Sequence, residues 1–259
     1  MLFHGATLTS TAGAPLLPHL PGRALYLVDL PGCGLADPFD YRGVDLAAHQ
    51  TAFVGSVLDA LGLEQAALVG ASMGGWFALR FALEGSERVV AVALVTAPAV
   101  ALPGSLVPVP MALTSTRLGR RLAAISPPPS ARMTRRMLAT IGGNGSVAGV
   151  PEALFDALGA ATALAVPGST TLDLYRWRTP HPHLQISEAD LAACRPPVLL
   201  LWGENDQVQS PEAGEWAASL LPHGRLEVLT GGHGLWFDLP QRCGQLLTEF
   251  LHEAEQQPA

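Results

Sequence analysis

Lysine is absent from this 259-residue chain; all 15 basic residues are arginine, set against 22 acidic residues for a net charge of −7. That balance excludes a protein that holds nucleic acid or an anionic membrane by bulk charge. The arginine-only usage, beside abundant Ala, Gly and Pro, reads as a coding bias. Charged residues make up only 14% and hydrophobic residues 49%, the reverse of what disorder requires. Cysteine is scarce: Cys33, Cys194 and Cys243 are odd in number, at spacings that fit neither a disulfide framework nor a zinc site. A reducing compartment is the simplest reading. The first residues, MLFHGATLTS, lack the basic start and apolar run of a secretion signal. The longest apolar stretch, residues 89–103, is interrupted by Thr96 and Pro98 and is too short to cross a bilayer. The expectation is a cytoplasmic protein with no membrane and no nucleic-acid partner. At this length a chain buries roughly three quarters of its unfolded surface, enough for stability without disulfides or metals.

What the chain does have is alternation. Short apolar runs at residues 24–29, 66–69, 89–95, 197–202 and 225–229 are separated by patterns of helical period at 46–61, 73–83, 213–221 and 241–251. Several of the runs are almost unbroken in apolar residues, as strands covered on both faces should be. The class is therefore α/β, with a mostly parallel sheet and flanking helices. One segment, 99–193, breaks the alternation and shows no convincing strand. Ser130 is placed to cap a helix over 131–141, and Pro151 to open one over 153–164. This is a helical insertion between two strands. It divides the chain into a core of 1–98 and 194–259 and an inserted unit of 99–193.

The strongest chemical signal is Ala66-Ala67-Leu68-Val69-Gly70-Ala71-Ser72-Met73-Gly74-Gly75-Trp76, an apolar strand, then G-x-S-x-G, then a helix. A lone G-x-S-x-G is weak, but this context is the one a nucleophile turn needs. Gly70 and Gly74 carry no side chain to obstruct a sharp strand-to-helix turn, which leaves the Ser72 hydroxyl at the strand's carboxyl end. The helix start beyond it offers free N–H groups to a developing oxyanion. The bland reading is a glycine-rich turn in which Ser72 merely caps the helix.

From here the sequence resembles the α/β-hydrolase family, along nearly its whole length. Leu2-Phe3-His4-Gly5 resembles the strand that ends in His-Gly before the oxyanion loop. Asp29-Leu30-Pro31-Gly32-Cys33-Gly34-Leu35-Ala36-Asp37 resembles the D-x-P-G-x-G-x-S-D turn, with Ala36 in place of Ser. Leu199-Leu200-Leu201-Trp202-Gly203-Glu204-Asn205-Asp206 resembles the segment of the triad acid, and Gly231-Gly232-His233 the histidine loop. The resemblance implies an α/β-hydrolase fold whose inserted helices form a lid over Ser72.

A serine hydroxyl needs a base. Among eight histidines, His233 follows the last strand in a flexible Gly-Gly-His-Gly loop. His4 belongs to the His-Gly signature and reads as a loop-positioning residue, and His19, His49, His181, His183, His223 and His252 read as surface residues. The base in turn needs a carboxylate. Asp206 lies just past a strand, and the chain order Ser72, Asp206, His233 is that of the family. Glu204 and Asp238 compete, the latter placed to cap the final helix. By the resemblance, the oxyanion donors are the backbone N–H groups of Met73, directly after the nucleophile, and Ala6, directly after His4-Gly5, with Thr7 as a one-residue alternative. No cofactor and no metal are expected.

Serine at position 72 argues against the carboxylate-nucleophile branches of the family. His4-Gly5-Ala6-Thr7 matches neither the H-G-G-P-G of proline iminopeptidases nor the H-G-x-G-P-G of meta-cleavage C–C hydrolases. Carboxylesterase and perhydrolase-like members fit without conflict. The expected partner is a small-molecule ester of small or medium apolar character, cleaved through an acyl-enzyme. C–C bond hydrolysis or acyl transfer is the alternative, and a non-catalytic ligand-binding member the alternative of another class. Leu235, Trp236, Met133 and Met137 are expected near the pocket, with Met111, Leu118, Met133 and Met137 packing the lid onto the core and Trp76 in the core. Residues 117–136 hold six arginines, which form either a pocket for an acidic substrate or, as charge runs usually do, a solvated face. The family usually has two strands ahead of the His-Gly strand. Without that N-terminal pair, Leu25-Tyr26-Leu27-Val28 would be an open apolar sheet edge. The expectation is either a start placed too late or a second copy of the chain covering that edge.

Overall fold

A computed structural model describes residues 1–84, 87–98, 101–107, 109–114, 116–127, 129–141, 147, 150–165, 175–176 and 178–256, with main chain alone at 110, 111, 114, 120, 123, 124, 141, 162–165, 175, 176 and 180. Its centre is a six-stranded sheet. In chain order the strands are β1 (Leu2–Phe3), β2 (Leu27–Val28), β3 (Ala66–Ala71), β4 (Val89–Val95), β7 (Val198–Gly203) and β8 (Gly224–Leu229). They lie in the spatial order β2-β1-β3-β4-β7-β8, and every pairing is parallel.

The two-residue period of the central strands decides the layers. Along β4, Val92 and Leu94 face one core while Ala91, Ala93 and Val95 face the other; along β7, Val198, Leu200 and Trp202 face the first and Leu199 and Leu201 the second. Both sides of these strands are therefore dry, which is why their sequence reads as an unbroken apolar run. The first face is covered by α1 (Leu46–Ala60), α2 (Met73–Leu83) and α8 (Pro211–Leu220). The second is covered by a 3₁₀ segment (Ser10–His19), α9 (Leu235–Asp238) and α10 (Pro240–Glu255). Helix α1 starts where the Asp45 side chain accepts from Ala48 N (3.1 Å). It buries Leu46, Gln50, Val54 and Leu58, one stripe at four-residue spacing. Gln50 satisfies its amide inside the core by donating to the Phe77 carbonyl (2.5 Å). Trp76 is buried on α2 and donates its indole N–H to Leu184 O (2.9 Å).

Between β4 and β7 lie α3 (Val109–Thr114), α4 (Arg117–Ile125), α5 (Ala131–Ile141), α6 (Glu152–Ala165) and α7 (Glu188–Ala192). Ser130 caps α5, its hydroxyl accepting from Met133 N (3.4 Å). The segment is not wholly strand-free. A short antiparallel pair, β5 (Tyr175–Arg176) and β6 (Thr179–Pro180), interrupts it. Two residues per strand carry no readable periodicity. The boundary residue 99 lies outside the described residues.

The packing expected of this region is corrected at two positions. Leu118 is 68% exposed and Met133 63% exposed. On α5 the inward direction is set by Thr134 and Leu138, 1% and 5% exposed at i and i+4. Met133 falls about 100° to the side of Thr134, so it faces outward. The Met111 side chain lies outside the described residues. The described arginine side chains of α4 and α5 are solvent-facing. Arg135 pairs with Glu152 (3.2 Å) and lies over the Phe155 ring (5.5 Å to its centroid). At the opposite end of the sheet order, β2 is an edge strand and residues 25–28 are half-buried.

Candidate active site

All five loops that leave the carboxyl ends of β1, β3, β4, β7 and β8 meet at one end of the sheet, where a parallel α/β sheet opens a crevice. Ser72 follows β3, and its backbone is strained, with φ 49° and ψ −116°. A non-glycine residue holds such a conformation only when its surroundings over-determine it. Here the surroundings are glycines. A Cβ on Gly70 would run into the main chain of Gly74, and one on Gly74 into the carbonyl oxygens of Phe3 and His4. The turn can pack this tightly against β1 because those two side chains are missing. Ser72 thereby stands at the head of α2, where Gly75 N and Trp76 N bond its carbonyl (3.1 and 3.3 Å).

Asp206 sits just past β7 with its carboxylate wholly buried. Oδ1 accepts from Val208 N (2.8 Å) and Gln209 N (3.1 Å), and the two oxygens stand 3.1 and 2.9 Å from Nδ1 of His233. Backbone donors satisfy the carboxylate oxygens in a dry site, and the contact at Nδ1 orients the ring. The competing acids are placed elsewhere. Glu204 is exposed and contacts Asn205 (3.3 Å). Asp238 does not cap the final helix, whose N-cap residue Leu239 makes no side-chain bond. It closes α9 and turns back, accepting from Gly232 N at 3.5 Å. Burial raises its pKa to about 6.

His4 has no place in the cavity. It is fully buried, donates from Nδ1 to Gly5 O (2.8 Å) and accepts Leu30 N–H at Nε2 (3.0 Å). Burial lowers its pKa to about 4, so it is a neutral clamp that fixes the Gly5-Ala6 turn. His49 departs from the surface expectation. It is half-buried and stacks on Phe39 (4.2 Å between centroids).

One open cavity collects most of these residues. Ala6, Thr7, Ser72, His233, Leu235, Trp236 and Met137 line it; Met133 does not. The Met73 side chain is buried in the core beneath the sheet, so only its main chain is available to the site. Neither Ala6 N–H nor Met73 N–H has a hydrogen-bond partner among the described residues. The lining also includes Thr96, Val95, Val107, Leu138 and Val208, which sequence reading had missed. Thr96 could have been found, because it is the residue that leaves the carboxyl end of a central strand. Val107, Leu138 and Val208 arrive by tertiary packing and carry no local signal. Apart from His233, the lining residues among those described bear no ionisable side chain. No three His, Cys, Asp or Glu side chains among the described residues converge to hold a metal.

A family model described as the alpha/beta hydrolase fold matches residues 1–238. The chain belongs to that family. It is 28% identical over 245 residues to a 2-hydroxy-6-oxononadienedioate/2-hydroxy-6-oxononatrienedioate hydrolase of Paraburkholderia phymatum, covering 89% of this chain and 77% of that protein. Over 90 residues, 34% of each chain, it is 39% identical to a pimeloyl-[acyl-carrier protein] methyl ester esterase of Legionella pneumophila. The solved carboxylesterase CesB (YbfK) of Bacillus subtilis superposes with a TM-score of 0.72 at 23% identity, covering 96% of this chain and 82% of that one, a likeness of fold. The family members it resembles are thus esterases and C–C hydrolases. No helix among the described residues is long and apolar enough to cross a membrane.

Proposed function

We propose that the protein is a serine hydrolase that cleaves the carboxylic ester of a small or medium apolar substrate. The observation that carries this reading is the strained Ser72 and the Asp206-held His233 lining one apolar cavity. Ser72 Oγ attacks the ester carbonyl while His233 takes its proton, and the N–H groups of Ala6 and Met73 bind the oxyanion. His233 then passes the proton to the departing alcohol, and water repeats the sequence on the acyl-enzyme. The lid role of α3–α6 belongs to the same proposal.

The relative from Paraburkholderia phymatum acts, by its name, on a dioate, and a C–C hydrolase is the second reading. A doubly charged acid asks for a cationic partner. The described lining bears no arginine, and the described α4 and α5 arginines face solvent, which supports the uncharged ester. Ser72→Ala is expected to lower turnover of short-chain aryl esters by roughly three or more orders of magnitude. Near-normal turnover in that variant would remove Ser72 as the nucleophile. Product identification across esters and ring-cleavage acids separates the two readings.

A further inference from the structure

Three non-glycine residues among those described adopt a left-handed backbone, Thr7 (φ 61°), Ser72 (φ 49°) and Thr96 (φ 49°), and all three line the same cavity. Thr7 belongs to the turn after His4-Gly5, and Ser72 is the nucleophile turn itself. Thr96 has no such explanation, and a β-branched residue tolerates this conformation worst. Strain held at a cavity wall is a pointer to function.

Thr96 is fully buried directly after β4. Its N–H donates to Leu201 O (2.8 Å), which anchors it to β7. Its hydroxyl stands 2.8 Å from the main-chain carbonyl of His233 and 2.7 Å from that of Val95. The hydroxyl has one proton for two acceptors. Val95 O already receives Ser72 N–H (3.3 Å), whereas the His233 carbonyl has no other donor among the described residues. The end of β4 therefore touches both halves of the reacting pair, the Ser72 main chain through Val95 and the His233 main chain through Thr96.

We propose that Thr96 is a positioning residue that fixes where the His233 imidazole stands relative to Ser72. The contact with Asp206 at Nδ1 sets the ring's rotation but not its position, because the loop that carries it is Gly231-Gly232-His233-Gly234. Glycines on both sides leave the His233 main chain little steric restraint, although Gly231 O is held by Asn205 N–H (2.9 Å) and Gly234 O by Phe237 N–H (2.8 Å). A hydroxyl on the His233 carbonyl removes that freedom at the residue that matters. The inference rests on the serine-hydrolase reading, since it presumes that the distance between His233 and Ser72 matters.

The test compares Thr96→Val, which keeps the shape and removes the hydroxyl, with Thr96→Ser, which keeps the hydroxyl. Two readouts are taken: steady-state kinetics on an aryl ester, and the His233 ring ¹⁵N signals by NMR, which need no substrate. Thr96→Val should lower kcat about 10- to 100-fold with KM changed less than about threefold, the signature of a misplaced group and not of lost binding. The His233 ring signals should shift, and Thr96→Ser should return both. Should Thr96→Val not fold, Thr96→Ala removes the hydroxyl with less branching strain. Unchanged kcat and unchanged His233 signals, even with a lower Tm, would overturn the proposal, as would a kcat loss that Thr96→Ser fails to restore. If the wild-type protein turns over no ester and Ser72 takes no fluorophosphonate label, the hydrolase reading fails. The His233 signals in the variants still decide the tether.

Discussion

Asp206 is held by three donors, two from the main chain two and three residues ahead and one from His233. The main-chain bonds close a local turn that any acid here could make, so they explain the residue's rigidity but not its identity. Only the Nδ1 contact needs a full carboxylate. Asp206→Asn keeps the turn and can present an N–H to Nδ1, which favours the wrong tautomer. Turnover is expected to fall by roughly three to four orders of magnitude with little change in KM. A fall of less than tenfold would return Glu204 or Asp238 to consideration. At this scale much of the candidate site was legible. Ser72, Asp206 and His233 each follow a readable strand, and the structure brings them to one end of the sheet. Asp238 was misplaced because its caps-a-helix reading used sequence distance to Pro240, while its actual partner, Gly232, lies behind it in a turn that only the folded loop closes.

Helices and strands that are amphipathic or wholly apolar were read to within a few residues. The apolar strand β4 and the capped helix α5 match residue for residue, whereas β2 shrinks to Leu27–Val28. Hydrogen bonding to β1 sets that limit, because β1 itself offers only two residues to pair with. The turn joining β3 to α2 is the element most dependent on absent atoms. Gly74→Ala places a methyl group against main-chain oxygens of β1, which cannot rotate aside. A destabilisation of about 1–3 kcal/mol is expected, read as a lower denaturation midpoint. Gly55→Ala in α1 is the contrast. Its Cβ meets only the edge of the Phe81 ring at 3.9 Å, so helix propensity decides and stability should rise by up to about 1 kcal/mol, read as a higher midpoint. Equal effects of the two changes would contradict the close approach at Gly74. The inserted helices were legible as helices, but their facing was not. Met133 and Met137 lie one turn apart on the same side of α5, and only position along the helix puts Met137 on the cavity and leaves Met133 in solvent.

Over the whole molecule, one buried and one half-buried ionisable group pull stability in opposite directions between about pH 4 and pH 6.5. His4 titrates at about 4 when folded and near 6.5 when unfolded, so the unfolded chain takes up the proton first as pH falls. That contribution is complete above pH 6.5 and is lost on acidification towards pH 4, by about 3 kcal/mol. Asp238 is the reverse. With its pKa raised to about 6, the folded chain keeps a proton that the unfolded chain releases near 3.8, so its contribution is present in acid and lost as pH rises through 6. Half-open to solvent, it weighs less than His4. Asp238→Asn also suits the buried Oδ1, which has no partner among the described residues. The variant should be more stable than wild type at pH 7.5 and lose stability more steeply between pH 6.5 and 4.5, measured by chemical denaturation at both pH values. Parallel wild-type and variant curves would show that Asp238 is not a buried acid. The sequence by itself determined the fold class, the order of its elements and the serine, acid and histidine candidates, because apolar periodicity and glycine-rich turns are local properties of a chain. Tertiary structure alone decided which side chains border the cavity, which arginines stay in solvent, and the contact from Thr96 to His233 across 137 residues. Those depend on the sheet order, which brings the ends of β4 and β8 to the same rim, and no local pattern encodes that distance.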